Sequence, residues 1–489
     1  MTKEIRRLSM IVVLMFVALL ASTSFIQVFN QRTLAEDPNN RRTLYDSYEV
    51  RRGPIIAGGE QIARSQSTDD IYAFQRTYPD PEMWSAVTGW LNPALNSATG
   101  IEQAMNQQLS GFADSAFLSR LEQIFTGQTP RGSSVELSLL PDVQRVAYEE
   151  MANRGYTGAV VAIEPDTGRI LALVSTPGYD TNLIASHDPG SANEAYNNLE
   201  NDEGRPLDNR AISGNTYPPG STFKLVLAAA AIESGEYTAE STFDNPVSYT
   251  PPGTTASVFN ATRGTCGSGD EVTLETAIRL SCNVPLAELA VELGDDAIRE
   301  QAEKLGFNAE MSIPLRVTPS TYPTTGLDDA QTALTGFGQG RVTSTPLAIA
   351  MMSAAIANDG VLMDPRMVDQ VMGHDLSVQE RFAPSEFGQA MDAETAKTVT
   401  EMMVSSVADG SSTSARIDGV DVAGKTGTAE VGEGDEPYTL WFTGFAPADD
   451  PQVAVAVVVE NGGGMGQQGS GNTIAAPIAK KVMEAVLAQ

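Results

Sequence analysis

The chain has 489 residues, of which 42% are hydrophobic and 19% charged, a composition that fits a folded protein of two or three domains and not a disordered one. Its formal net charge of −31, with no basic stripe carrying interleaved aromatics, excludes nucleic-acid binding. Histidine occurs only as His187 and His374 and cysteine only as Cys266 and Cys282, too few for a His- or Cys-rich metal centre, so no metal or other cofactor is expected.

Residues 10–29, MIVVLMFVALLASTSFIQVF, carry no charge and are long enough as a helix to cross a hydrocarbon core of about 30 Å. Lys3, Arg6 and Arg7 precede the run, which puts residues 1–9 in the cytoplasm and everything after the span outside, in a single-pass cell-membrane protein. The apolar run continues past the small residues at 18–24, which favours an uncleaved anchor; a cleaved signal peptide is the alternative. An oxidising exterior permits a bridge between Cys266 and Cys282, contributing about 3 kcal/mol; two buried thiols are the other reading.

Residues 30–150 are mixed, with turn clusters such as Arg52-Gly53-Pro54 and Ala57-Gly58-Gly59 and a helical stretch from Asn92 to about Leu121. They read as a pedestal or spacer. The texture changes at Thr157: two apolar runs of strand length, 158–163 and 169–174, flank Glu164-Pro165-Asp166-Thr167-Gly168, a hairpin signal. Similar runs at 438–446 and 453–459 and an apolar-faced helix at 475–487 close the chain. Strands at both ends with helices between predict an α+β domain over 151–489.

Three short motifs lie in that domain. Ser221-Thr222-Phe223-Lys224 follows Pro218-Pro219-Gly220, which starts a helix with the serine in its first turn and the lysine on the same face. A desolvated amine there can take the proton of an attacking Ser221. A serine at a helix start is commonly only a cap, but none of the other six lysines has serine three residues before it. Ser281-Cys282-Asn283 is one of four S-x-N matches and is singled out by its position, at a break between helical pieces. There Ser281 suits proton relay and Asn283 suits holding a substrate amide. Lys425-Thr426-Gly427-Thr428 reads as a strand edge on a cleft: Gly427 permits close approach, the Thr428 N–H suits an oxyanion, and Lys425 with the threonine hydroxyls suits a substrate carboxylate.

In this order S-x-x-K, S-x-N and K-T-G resemble the penicillin-binding protein and serine β-lactamase superfamily. The hairpin before the first motif, Gly338-Gln339-Gly340 and Trp441-Phe442-Thr443-Gly444-Phe445 extend the resemblance over residues 150 to 489. It implies a central antiparallel sheet flanked by helices and a D,D-transpeptidase. In that reaction Ser221 is acylated by the D-Ala-D-Ala end of a peptidoglycan stem peptide, or by a β-lactam, and the acyl group passes to an amine of a neighbouring stem. The E-x-x-L-N signature of class A β-lactamases is absent, which favours transfer over hydrolysis; a D,D-carboxypeptidase, a β-lactamase-like hydrolase and a β-lactam-binding scaffold or sensor are the alternatives. Some 120 residues between span and domain are too few for a glycosyltransferase module, so the chain resembles the monofunctional class B proteins. Residues 40–56 resemble the penicillin-binding protein A group of actinobacteria, which implies partners in wall synthesis and division. The class B pattern R-G-x-I-x-D-R-N-G is kept only at its start, Arg52-Gly53-Pro54-Ile55, which leaves a septal or an elongation role open.

Overall fold

The run VAVAVVV at Val453–Val459 has no polar residue on either side, so a strand made from it must be covered on both faces. It is the middle strand of a five-stranded antiparallel sheet: β1 (Gly158–Ile163), β2 (Ile170–Thr176), β3 (Ala423–Ala429), β4 (Thr439–Ala446) and β5 (Val453–Val459), in the spatial order β3-β4-β5-β1-β2. The structure, a computed structural model, describes residues 2–29, 50–113, 131–430 and 435–489. Helices α1 (Pro141–Ala152), α5 (Pro346–Ala357), α6 (Ala393–Asp409) and α7 (Ala476–Leu487) pack on the sheet, while α2 (Lys224–Glu233) and α3 (Leu274–Arg279) pack on α6, and α4 (Val284–Leu293) on α2 and α3.

Strand alternation divides the core in two. Ala454, Ala456 and Val458 of β5 face a cluster with Leu347, Ile349 and Met352 of α5. Val453, Val455, Val457 and Val459 face a second cluster with Val143 and Met151 of α1 and Ile478 and Val482 of α7. Helix α5 is apolar all round and buried from Pro346 to Ile356, as its central place requires; Thr345 caps it by accepting from Ala348 N, and Pro346 fills its first turn. The sheet closed by both ends of the domain, with helices between, is the expected α+β architecture.

A second sheet has six strands in the order Val378–Arg381, Val368–Met372, Ser134–Leu137, Ile55–Ala57, Glu60–Ser67 and Phe74–Thr77. Its first two strands come from far down the chain, so the N-terminal region is tied to the sequence around residue 370 by strand pairing. The stretch expected to be helical from Asn92 is built otherwise: Leu91–Asn92 pairs with Ser97–Ala98, and the short helices Gly100–Ala104 and Asn106–Leu109 follow. Residues 114–121 of that expectation lie outside the described residues. At the N-terminus, helix Thr2–Phe29 contains an apolar candidate span, Lys3–Phe25, none of it buried in the protein.

Beneath the second sheet, Arg52 and Arg76 converge on Glu102, with Nε to carboxylate distances of 2.6 and 2.5 Å. All three side chains are sealed from solvent. Burial pushes the Glu102 carboxyl up, but the two guanidiniums outweigh it and hold the group below its usual range. Glu102→Gln would leave two buried guanidiniums without a counter-charge and should cost about 3–5 kcal/mol, measured as a lower denaturant midpoint at neutral pH.

Candidate active site

Pro218-Pro219-Gly220 does not lead straight into an α-helix. Gly220–Thr222 is a 3-10 turn and α2 begins at Lys224, so Ser221 sits in the tight turn ahead of the helix. The turn is held from three sides. The Trp441 indole donates to Pro218 O at 3.0 Å, Thr222 Oγ1 donates to Pro219 O at 2.8 Å, and Gly220 N donates to Gly338 O at 3.0 Å. Gly338 has φ 72°, and a Cβ there would lie 2.1 Å from Gly220 O; only glycine fits that close approach. Ser221 is half-buried, and its Oγ makes no hydrogen bond among the described residues.

Lys224 points inward from the first turn of α2 and is fully buried. Its Nζ donates to Ser281 O at 2.7 Å and Asn283 Oδ1 at 2.7 Å, with Ser281 Oγ at 3.4 Å. These acceptors stand at the corner between α3 and α4, where Ser281 adopts the left-handed φ 62°. Such a conformation persists in a serine only when its surroundings impose it. Asn260 supplies part of the hold: its Oδ1 accepts from Asn283 N at 2.8 Å and Val284 N at 3.0 Å, two of the unpaired amides at the start of α4. Cys282, between the two motif residues, is joined to Cys266 by a disulfide.

The third motif lies on β3, an edge strand. Lys425, also fully buried, donates from Nζ to Ser281 Oγ at 2.6 Å and Thr426 O at 3.0 Å. Thr426 faces away from this cluster: its N–H donates to Ser412 Oγ at 3.1 Å and its hydroxyl to Ser411 O at 3.0 Å. Amides two apart in a strand point to the same side, so the Thr428 N–H faces the open edge along with that of Thr426. Gly427 lets this edge lie against the serine turn; a Cβ there would meet Pro219 O at 3.1 Å and Thr222 Cγ2 at 3.2 Å.

The structure therefore brings Ser221, Lys224, Ser281, Asn283, Lys425 and Gly427 to one place, with the exposed Thr428 at its rim, while the Thr426 hydroxyl is engaged behind the strand. Sequence reasoning missed Asn260, Ser412 and the Trp441 bond to Pro218. Trp441 was within a recognised run, but nothing in spacing marks Asn260 or Ser412, which act across loops.

Neither buried amine has a carboxylate partner among the described residues. Burial depresses Lys224 well below the usual lysine range, and the charge of Lys425 pushes it further. Burial alone pushes Lys425 down to about 7. The Lys224 amine is bonded to Ser281 O and Asn283 Oδ1, with Ser281 Oγ farther off, and its weakened hold on a proton suits it to act as a base.

A half-buried serine three residues before a buried lysine of depressed pKa, with an open strand edge next to it, is the arrangement that serine acyl transfer needs. Residues 158–484 match the penicillin-binding protein transpeptidase domain, and residues 52–135 match the penicillin-binding protein A dimerisation domain. Along its whole length the chain is 40% identical to the peptidoglycan D,D-transpeptidase PbpA of Mycolicibacterium smegmatis, covering 99% of that protein. The corresponding protein of Mycobacterium tuberculosis is likewise 40% identical over 100% of this chain and 99% of its own. The structure of penicillin-binding protein A from M. tuberculosis as a ceftriaxone acyl-enzyme is similar, with a TM-score of 0.87 and 39% identity over 91% of this chain and 100% of that one. Its imipenem acyl-enzyme gives 0.86 at 39% identity over 90% and 100%. The chain belongs to the penicillin-binding proteins.

The two lysines set a pH dependence. Acylation of Ser221 by a labelled penicillin should be slow in acid, where Lys224 holds a proton, and rise to a plateau at a pH well below the ordinary lysine range. Stability should follow Lys425. The unfolded chain keeps that proton up to about 10.5 and the folded protein only up to about 7, so the stability the group contributes grows with pH between those values and is lost as pH falls to about 7. Lys425→Met should flatten that slope in denaturant titrations.

Proposed function

We propose that this chain is a membrane-anchored peptidoglycan D,D-transpeptidase in which Ser221 is the nucleophile and Lys224 its base. The observation that carries the reading is the placement of the Lys224 amine, wholly buried three residues past Ser221, bonded to Ser281 O and Asn283 Oδ1 and without a carboxylate partner among the described residues. Ser221 Oγ attacks the carbonyl of the penultimate D-alanine and gives its proton to Lys224 Nζ. The Ser221 and Thr428 N–H groups receive the oxyanion. As the peptide bond breaks, the proton returns through the Ser281 hydroxyl, which Lys425 orients, to the departing D-alanine amine. An amine of a neighbouring stem then attacks the ester and loses a proton to Lys224, which passes it to Ser221 Oγ as the ester bond breaks, so that Ser221 and Lys224 return to their starting states. Asn283 holds the substrate backbone amide. Lys425, Thr428 and the Thr426–Gly427 segment receive the terminal carboxylate. A β-lactam opens on Ser221 in the same way, but its leaving group stays attached.

On this reading residues 1–9 lie in the cytoplasm, 10–29 cross the membrane, 30–150 form a pedestal and 151–489 carry the chemistry outside. Lys3, Arg6 and Arg7 support that orientation. A pedestal beside the membrane suits contact with wall-synthesis and division proteins. The relatives named as D,D-transpeptidases support transfer, as does the absent E-x-x-L-N signature of hydrolytic relatives.

A labelled penicillin should form a long-lived adduct on Ser221, mapped by peptide mass. Ser221→Ala should abolish it with little change in unfolding midpoint, and Lys224→Ala should slow it at least a hundredfold. Rapid turnover of the adduct would point to a β-lactamase, and an unlabelled Ser221 in folded protein would refute the assignment.

A further inference from the structure

A small flap stands against the corner that holds Ser281 and Asn283. Ser248–Tyr249 pairs with Val258–Phe259, and the chain then turns, with Arg263 N donating to Asn260 O at 2.9 Å and Asn260 Nδ2 to Gly264 O at 2.9 Å. Asn260 Oδ1 fixes this turn to the backbone of Asn283 and Val284, and Asn283 Nδ2 donates to Phe259 O at 3.0 Å. The flap is therefore bonded directly to a residue of the active site.

Arg263 is exposed on this turn, and its guanidinium lies 4.9 Å from the centre of the Phe259 ring, itself 37% exposed. A cation stacked on an aromatic face is oriented without being neutralised. No carboxylate pairs with Arg263 among the described residues, although acidic residues outnumber basic ones by 62 to 31 in the chain. Its backbone is also left-handed, at φ 58°, a conformation that favours glycine or asparagine over arginine. A long cation held at a disfavoured backbone position, oriented and unpaired on a turn bonded to Asn283, suits an anion that arrives from outside.

We propose that Arg263 and Phe259 form a carboxylate subsite at the rim of the cleft, which recognises a free carboxylate on the substrate peptide upstream of the scissile bond. The proposal rests on the transpeptidase reading. Arg263 offers a planar pair of N–H donors to the carboxylate, and Phe259 offers an apolar wall to the aliphatic part of the same residue.

The test uses the full chain in detergent and two synthetic stem peptides ending in D-Ala-D-Ala, identical except that one carries a free upstream side-chain carboxylate and the other its carboxamide. Each is read by the concentration that halves the rate of Ser221 labelling by penicillin. The wild type should favour the carboxylate peptide by about tenfold. Arg263→Gln should bring the ratio near one, Arg263→Lys should keep part of it, and Arg263→Glu should invert it. Added salt should shrink the wild-type ratio, as for any rim charge. Because the ratio is taken within each variant, any general effect on the fold or on labelling cancels. A wild-type ratio near one, absence of protection by the carboxylate peptide, or a ratio unchanged in Arg263→Gln would each overturn the subsite. Failure of penicillin to label wild-type Ser221 would instead overturn the transpeptidase reading.

Discussion

Lys224 and Lys425 arrive from different elements, both wholly buried, and both reach Ser281. Two ammonium groups in that space, with no carboxylate partner among the described residues, would repel each other and lack hydration, so the pair sheds charge instead. Lys224 gives way first because it bears the field of Lys425 as well as its own burial. An amine whose hold on a proton is weakened by its surroundings is readied to act as a base. The polar acceptors around it, Ser281 O and Asn283 Oδ1, fix its position.

The rest of the domain can be understood as what keeps those amines dry and in register. Lys425 is placed by β3, which is fixed by pairing with β4 over its whole length. Strand β4 also reaches the serine turn through Trp441. Just past β5, Glu460 accepts from Arg210 Nε at 3.0 Å and from the Tyr217 hydroxyl at 2.7 Å. Tyr217 exchanges backbone bonds with Ser344, next to the cap of α5. The turn carrying Ser221 is thus suspended between the sheet and the central helix, and its position follows from the packing of β5 and α5. Apolar burial does the long-range work, and a few polar bonds set the last ångström.

How much of this was legible in the sequence follows from range. The S-x-x-K pair is local, and lysine is so scarce that its match was unique. Helix breaks around Ser281 and strand runs at 453–459 were also local patterns, so the α+β domain could be read before any contact was known. Asn260 could not be, because its role depends on a backbone corner 23 residues away. Nor could the second sheet, where Val368–Met372 pairs with Ser134–Leu137 across the whole intervening domain. The misread helix from Asn92 shows the converse limit: polar residues with helical propensity were recruited into a short hairpin and two single turns, where tertiary packing overrides propensity.

The edge of β3 joins these levels. An open edge strand is a hazard, because its unpaired amides can recruit any extended chain. Here the hazard is closed on one side and kept on the other. Ser412 takes the Thr426 N–H and Ser411 the Thr426 hydroxyl, so the edge is blocked up to that residue. Two residues on, beside the turn that holds Ser221, the Thr428 amide faces the same side, and Gly427 lets the serine turn close on it. Blocking any further along would have consumed the donor that suits an oxyanion; leaving more open would have given foreign strands a longer template. A short stretch of free edge thus remains beside the serine turn, on the same strand that carries the buried Lys425 and the exposed Thr428.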